Sequence, residues 1–445
     1  MTLRIDPRHT TRTFEPGVPH VVFTGGGTGG HLFPGLAVAA ELRSQLPAVR
    51  VTFAGGGKPL EREHTAAAGF EYLALPCRPM PRRVKDVLPF VVDNAAGWLA
   101  AGRFLKREHV AAVVGLGGYA SVPMARAAAW HGVPLVLLEQ NVVPGKANRW
   151  LARSAELICT SFAETRVPAG ARCTVRFTGN PIRSYPGAAG ILEARRASEE
   201  CGRTRGASHN PRLRVGLPCD RTDGTSLSPK PLLLVLGGSS GAHALNQHVP
   251  RALARIRGLL AGWRILHQSG AAEVEATRAA YREVALDATV EAFVADLPAV
   301  MAAGGLAVCR AGGTSLAELA AAGVPAVLLP YPHAADDHQR RNAEVFAAAG
   351  GACVVDEREC SGRLDERVAE AMTVVLGEPG RRAAMSAAMH GLARPHAAGE
   401  VAALIRRRVS KSPRTACGGL RTGDVSMSVA VIGSDVDAGP YPGKN

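Results

Sequence analysis

Val21-Val22-Phe23-Thr24-Gly25-Gly26-Gly27-Thr28-Gly29-Gly30-His31 is the stretch from which the rest of the chain is read. An apolar run gives way to glycines and then to a histidine, which predicts a buried strand, a tight turn and the first residues of a helix. Glycine lets backbone N–H groups come close to a ligand, and the helix N-terminus behind it adds unpaired donors and partial positive charge. The arrangement favours an anion such as a phosphate and sets His31 at the edge of the site. A turn that only packs helix on strand would carry the same residues. The helix that follows is expected to bury Leu32, Leu36, Ala39 and Ala40 on one face, with Pro34 tolerated in its first turn.

Gly25-x-Gly27-x-x-Gly30 has the spacing of the dinucleotide fingerprint, but that use needs an acid ending the second strand to hold ribose hydroxyls. Here the expected second strand, 49–54, runs into Gly55-Gly56-Gly57, and the first acid is Glu61. The requirement is not met. No Gly-Lys-Ser/Thr follows the glycines, which excludes a Walker A loop. A histidine at a helix start is often only a polar cap. Beside a glycine-rich anion loop, His31 is equally a candidate general base.

Outward from this stretch, short apolar runs alternate with helical patterns. Strands are expected at 21–24, 49–54, 111–116, 134–138, 157–160 and 174–178, and again at 232–236, 264–267, 290–293, 306–309, 326–329 and 353–355. Two such series predict two α/β domains with doubly wound parallel sheets. The expected domain order is a flexible extension (1–19), a first Rossmann-like domain (20–183), a low-complexity insert or linker (184–230), a second Rossmann-like domain (231–396), a terminal helix (397–410) and a disordered tail (411–445).

Composition narrows the function classes. The 445-residue chain carries a formal charge of +14, which favours an anionic partner. No nucleic-acid-binding motif is present and only 5% of residues are aromatic, so no nucleic-acid partner is expected. Between Arg78 and Arg107, seven Lys/Arg stand against two acids and alternate with Leu88, Phe90, Val91, Trp98, Leu99 and Phe104. That mixture suits either an anionic membrane surface or an ordinary packed amphipathic helix. The nine cysteines show no C-x-x-C and no metal-ligand spacing, which points to reduced thiols. The first 20 residues lack the apolar core of a secretory signal, and no run is long enough to span a bilayer.

A second device follows the strand at 232–236: Gly237-Gly238-Ser239-Ser240-Gly241-Ala242, then a helix with Leu245 and Asn246. A third runs Cys309-Arg310-Ala311-Gly312-Gly313-Thr314-Ser315-Leu316-Ala317-Glu318 and sets Glu318 on a helix, where a carboxylate can accept from vicinal hydroxyls or simply face solvent. Pro330-Tyr331-Pro332-His333-Ala334-Ala335-Asp336-Asp337-His338-Gln339 puts further polar groups after a strand end.

Together with Gly115-Leu116-Gly117-Gly118-Tyr119-Ala120-Ser121, Glu139-Gln140-Asn141, Gly179-Asn180-Pro181-Ile182-Arg183, His267-Gln268-Ser269-Gly270 and Asn342-Ala343, these motifs in this order resemble the B-type glycosyltransferases (GT-B). The resemblance is closest to the bacterial peptidoglycan N-acetylglucosaminyltransferases and spans roughly 20–183 and 231–408. It implies two Rossmann-like domains facing across a cleft, and inverting transfer of GlcNAc from UDP-GlcNAc to the muramyl 4-hydroxyl of lipid I, giving lipid II. It implies His31 and Glu318 as catalytic groups, His31 being the candidate base. Contacts to UDP-GlcNAc would come from Thr28, Gly29, Gly30, Asn141, Arg183, Ser239, Val294, Gly313, Thr314, Ser315, Glu318, His338 and Gln339. Gly117, Gly118 and Tyr119 would form the acceptor-side loop. No cofactor is expected, and no obligatory metal, since helix N-termini and Arg183 can stabilise the departing pyrophosphate. A peripheral place on the cytoplasmic face of the cell membrane is implied. The alternatives are a related transferase with another acceptor and a silent UDP-sugar-binding regulator.

Overall fold

The computed structural model describes residues 18–182, 230–238, 241–294, 296–378 and 380–410. Most of the expected extension, insert and tail lies outside these residues, and so do Arg183 and Ser239.

The first sheet is built from β1 (His20–Gly25), β2 (Arg50–Gly55), β3 (Glu71–Ala74), β4 (Val110–Gly117), β5 (Leu135–Glu139), β6 (Leu157–Thr160) and β7 (Thr174–Phe177), in the order β3-β2-β1-β4-β5-β6-β7. The second holds β8 (Leu232–Leu236), β9 (Arg264–Gln268), β10 (Thr289–Glu291), β11 (Gly304–Cys309), β12 (Ala326–Leu328) and β13 (Ala352–Val354), in the order β10-β9-β8-β11-β12-β13. Every neighbouring pair is parallel. Both sheets reverse their strand order beside the first strand, between β1 and β4 and between β8 and β11. Ligands of doubly wound sheets bind at the carboxyl ends at such a reversal.

Strands covered on both faces read as continuous apolar runs, and β1, β5, β6 and β8 are buried along their whole length. The edge strand β3 was not among the expected strands. It is only four residues long, and its first two do polar work: Glu71 pairs with Arg50, and the Tyr72 hydroxyl donates to Glu61.

The helix Gly29–Gln45 also departs from expectation. Leu32 and Ala39 are buried, but Leu36 is half-buried and Ala40 exposed, while Pro34, Gly35, Ala37, Val38 and Leu42 are buried as well. A single apolar stripe fails here because the helix is covered on two sides. The sheet approaches so closely that a Cβ on Gly35 would lie 2.5 Å from Leu116 Cδ1. From the other side the helix Ala397–Val409 returns to this domain and sets Val401, Ala402 and Ile405 into its core.

Candidate active site

The first glycine turn is tightly made. Gly25, Gly26 and Gly27 have φ of +117°, +129° and +81°. Gly25 pairs with Gly117 at the end of β4, and a Cβ there would sit 2.5 Å from the Gly117 carbonyl oxygen. Only glycine fits. The turn already holds an anion, which belongs to the chain itself. Glu61, fully buried, accepts from Gly27 N at 2.7 Å through Oε1, and from Gly57 N at 3.0 Å and Lys58 N at 3.3 Å through Oε2. The Tyr72 hydroxyl donates to the same Oε2; burial and then the carboxylate hold this phenol protonated, far above its ordinary range. The acid missing from the ribose position is therefore the internal counter-ion of the turn.

Beyond the turn, Thr28 is the exposed N-cap, Gly29 and Gly30 open the helix, and His31 follows half-buried. His31 Nδ1 lies 2.9 Å from Gln140 Oε1, and Gln140 Nε2 donates to the Leu116 carbonyl at 3.2 Å. Gly117 and Gly118 carry positive φ and run along the imidazole; a Cβ on Gly117 would be 3.1 Å from His31 Nδ1. Tyr119 comes next, with Lys58 Nζ 5.9 Å from its ring centroid and 3.2 Å from the Gly27 carbonyl. His31 and the loop Gly117–Tyr119 thus share the β1/β4 reversal.

Glu139 ends β5 and organises the following loop. Its Oε1 accepts from Asn141 N at 3.0 Å and Asn141 Nδ2 at 3.2 Å; its Oε2 accepts from Gly145 N at 3.0 Å and Asn148 Nδ2 at 2.9 Å. This loop meets the second domain. Asn342, buried on the helix His338–Ala348, donates to Asn141 Oδ1 at 3.0 Å and accepts from Val142 N at 2.9 Å. Arg149 pairs with Asp336, whose φ of +52°, like the +57° of Asp337, is strained for a non-glycine residue. Thr314 Oγ1 donates to the Gly30 carbonyl at 2.8 Å, and a Cβ on Gly313 would lie 2.0 Å from the Gln140 carbonyl oxygen.

The helix Gly313–Ala322 therefore starts against His31's own neighbours. Thr314 and Glu318 are buried on it and Ser315 is half-buried. At the β8 reversal, Gly238 has φ +80° and open space where a Cβ would stand. Gln268 ties this turn to the β10 end: its Nε2 donates to the Gly238 carbonyl at 2.9 Å and its Oε1 accepts from Val294 N at 3.0 Å. Gln339 Oε1 accepts from Tyr331 N at 2.9 Å, and His338 Nδ1 lies 2.7 Å from the Ala335 carbonyl. So Thr28–His31, Gly117–Tyr119, Asn141, Gly313 and Thr314 converge at one junction, while Val294 stands with the second turn.

Glu61, Gln140, Gln268 and Asn342 are the structural finds that sequence reasoning gave no role. Glu61 did carry a signal: it stands three residues after Lys58 at the start of the helix Pro59–Ala67, where a carboxylate caps the backbone. Among the described residues, no group of three His, Cys, Asp or Glu could hold a metal ion.

Residues 21–160 match the glycosyltransferase family 28 N-terminal domain, and residues 232–400 match its C-terminal domain. The chain belongs to glycosyltransferase family 28. A Nitratidesulfovibrio vulgaris protein called UDP-N-acetylglucosamine–N-acetylmuramyl-(pentapeptide) pyrophosphoryl-undecaprenol N-acetylglucosamine transferase is 39% identical over 386 residues, 86% of this chain and 95% of that protein. Its namesake from Methylococcus capsulatus is 38% identical over 86% of this chain and 96% of its own length. Among solved structures, MurG of Acinetobacter baumannii superposes with a TM-score of 0.63 at 29% identity, covering 87% of this chain and 99% of that one. The calicheamicin glycosyltransferase CalG4, at 16% identity and a TM-score of 0.56, shares the fold. The two parallel-sheet domains are those of a B-type glycosyltransferase.

Proposed function

We propose that this family 28 enzyme transfers GlcNAc from UDP-GlcNAc to the muramyl 4-hydroxyl of lipid I, making lipid II, with His31 as the general base. The observation that carries this reading is the junction of His31 with the N-terminus of the helix Gly313–Ala322, made by Thr314 Oγ1 on the Gly30 carbonyl at 2.8 Å. The turn that carries the base on one domain then abuts a helix N-terminus on the other. His31 takes the proton of the 4-hydroxyl as its oxygen forms a bond to C1 of GlcNAc. The C1–phosphate bond breaks on the opposite face, which inverts the configuration. Negative charge develops on the UDP β-phosphate, and the N–H groups and dipole of Gly313–Ala322 would stabilise it. Glu318 holds the ribose hydroxyls. Thr28, Asn141, Val294, Ser315, His338 and Gln339 complete the nucleotide-sugar site, with Arg183 and Ser239 as the family resemblance implies.

A lipid-linked acceptor requires a surface that reaches the bilayer, and one patch has the right chemistry. Met80, Val84, Leu88, Val91 and Val92 are 71%, 90%, 71%, 53% and 54% exposed, beside exposed Arg82, Arg83 and Lys85. The helix Val87–Arg107 packs through Gly97, Ala101, Gly102, Phe104 and Leu105 and leaves its first half uncovered. No described helix is long and apolar enough to cross a membrane. We read the patch as a peripheral contact with an anionic leaflet, on the cytoplasmic side where UDP-GlcNAc is available. Each basic residue contributes roughly 1 kcal/mol there.

The deciding experiment follows labelled GlcNAc from UDP-GlcNAc to a short-chain lipid I analogue. Transfer with inversion supports the reading; a folded, UDP-GlcNAc-binding protein that leaves the analogue unglycosylated rejects it. Flotation on anionic vesicles tests the surface, which requires binding that weakens when Arg82, Arg83 and Lys85 are neutralised together.

A further inference from the structure

The hydrogen bonds around His31 identify which of its nitrogens is basic. The Leu116 backbone carbonyl can only accept, so the Gln140 amide atom 3.2 Å from it is the NH2 group. That orientation leaves Gln140 Oε1, which also can only accept, facing His31 Nδ1 at 2.9 Å. Nδ1 must then carry the hydrogen. A neutral imidazole has one N–H, so the lone pair available for a proton sits on Nε2. Turning the Gln140 amide over would set its oxygen against the Leu116 carbonyl, two acceptors face to face. A Cβ on Gly117 would come within 3.2 Å of the Nδ1–Cε1 edge of the ring and one on Gly118 would lie 3.9 Å from Cδ2, so glycine at 117 leaves the imidazole its place. Glu139, next to Gln140 in the chain, is committed to Asn141, Gly145 and Asn148.

We infer that Gln140 is a positioning residue, which holds His31 in the Nδ1–H tautomer and thereby makes Nε2 the atom that takes the acceptor proton. The inference rests on the reading of His31 as the base. Gln140 also touches the second domain, since its carbonyl packs on Gly313 where the helix Gly313–Ala322 begins. One buried residue thus connects the protonation pattern of the base to the docking of the nucleotide-binding half.

The test reads the tautomer without any reaction. In full-length protein labelled with 15N-histidine, the His31 signals are those that vanish in His31→Ala. At a pH where the ring is neutral, wild type is expected to show a protonated Nδ1 and an unprotonated Nε2. Gln140→Leu should lose that pattern, and Gln140→Glu should keep it, because a carboxylate also accepts from Nδ1. In the transfer assay Gln140→Leu should lower kcat on the order of 10²-fold, with the UDP-GlcNAc Kd unchanged within about two-fold. An Nε2–H tautomer in wild type overturns the inference. So does an unaltered His31 spectrum or an unaltered kcat in Gln140→Leu. If that variant melts before it can be measured, Gln140→Met removes the acceptor at nearly the same length, and the wild-type spectrum alone still decides the tautomer. A wild type with the Nδ1–H pattern but no transfer would refute the proposed function and leave the tautomer assignment standing.

Discussion

The two glycine turns, 25–30 and 237–242, are written in similar residues and are closed by different partners. In the first, positive-φ glycines wrap around Glu61, and the Gly27 N–H that a phosphate would use is already bonded to that carboxylate. The turn is a rigid bracket, with its Gly25 wedged against the Gly117 carbonyl and His31 at its end. In the second, Gly237 N donates to the Gln268 carbonyl, Gly241 N closes the loop on the Gly238 carbonyl, Gln268 braces it from behind, and among the described residues no atom lies within 4 Å of where a Gly238 Cβ would stand. A glycine-rich strand–helix turn therefore specifies a set of donors without specifying who fills them. An acid 34 residues away made the first one structural.

The comparison can be broken at several points. The largest effect belongs to His31→Ala, which should lower kcat in the lipid I transfer assay by about 10²–10⁴-fold while UDP-GlcNAc binding by calorimetry persists. Equal loss of binding would mean that His31 holds the nucleotide sugar rather than taking the acceptor proton. Glu61→Ala comes next. It strands the Gly27, Gly57 and Tyr72 donors in a buried site and should cost about 3–4 kcal/mol in urea unfolding. A near-neutral result would show the first turn to be as open as the second.

Each domain also carries a buried histidine, and both work against folding in acid. Burial, with help from Arg50, pushes His20 down to about 4, and burial pushes His267 down to about 3. Both stay neutral in the folded chain but protonate near pH 6.5 once unfolded. Stability should be full above that pH and fall on acidification toward pH 4, by about 3 kcal/mol for His20 alone. Melts of wild type and His20→Asn between pH 7.5 and 4.5 check the sign, since the variant should lose less on acidification. The smallest effect is expected of Gly238→Ala. Left-handed φ costs alanine about 1 kcal/mol, which should appear as roughly a five-fold rise in the UDP-GlcNAc KM with kcat little changed.

Much of the fold was legible because parallel strands buried on both faces announce themselves as apolar runs, and β6 and β8 match their expected spans to the residue. β3 escaped because Glu71 and Tyr72 break its pattern, and the reason they do so, Arg50 and Glu61, is invisible without the fold. Similarly, the helix Gly29–Gln45 gave a misleading face because one of its two covers lies more than 350 residues further along the chain. At the site, residue types at turn ends were readable one motif at a time. What the sequence could not express is pairing across distance: Gln140 is 109 residues from His31, and Asn342 is 201 from Asn141. Both glutamine and asparagine sit inside recognisable motifs, yet their work is defined only by the partners that folding brings to them.

The return of the helix Ala397–Val409 to the first domain has a consequence for the order in which the protein can be made. Val401, Ala402 and Ile405 complete the core around Val38, Leu42 and Phe53. A ribosome delivers those three residues only after the whole second sheet has emerged. Until then the first domain must wait with part of its apolar surface uncovered, an interval in which a nascent chain is exposed to aggregation and to chaperones. A helix made after the second sheet thus seals the domain made before it.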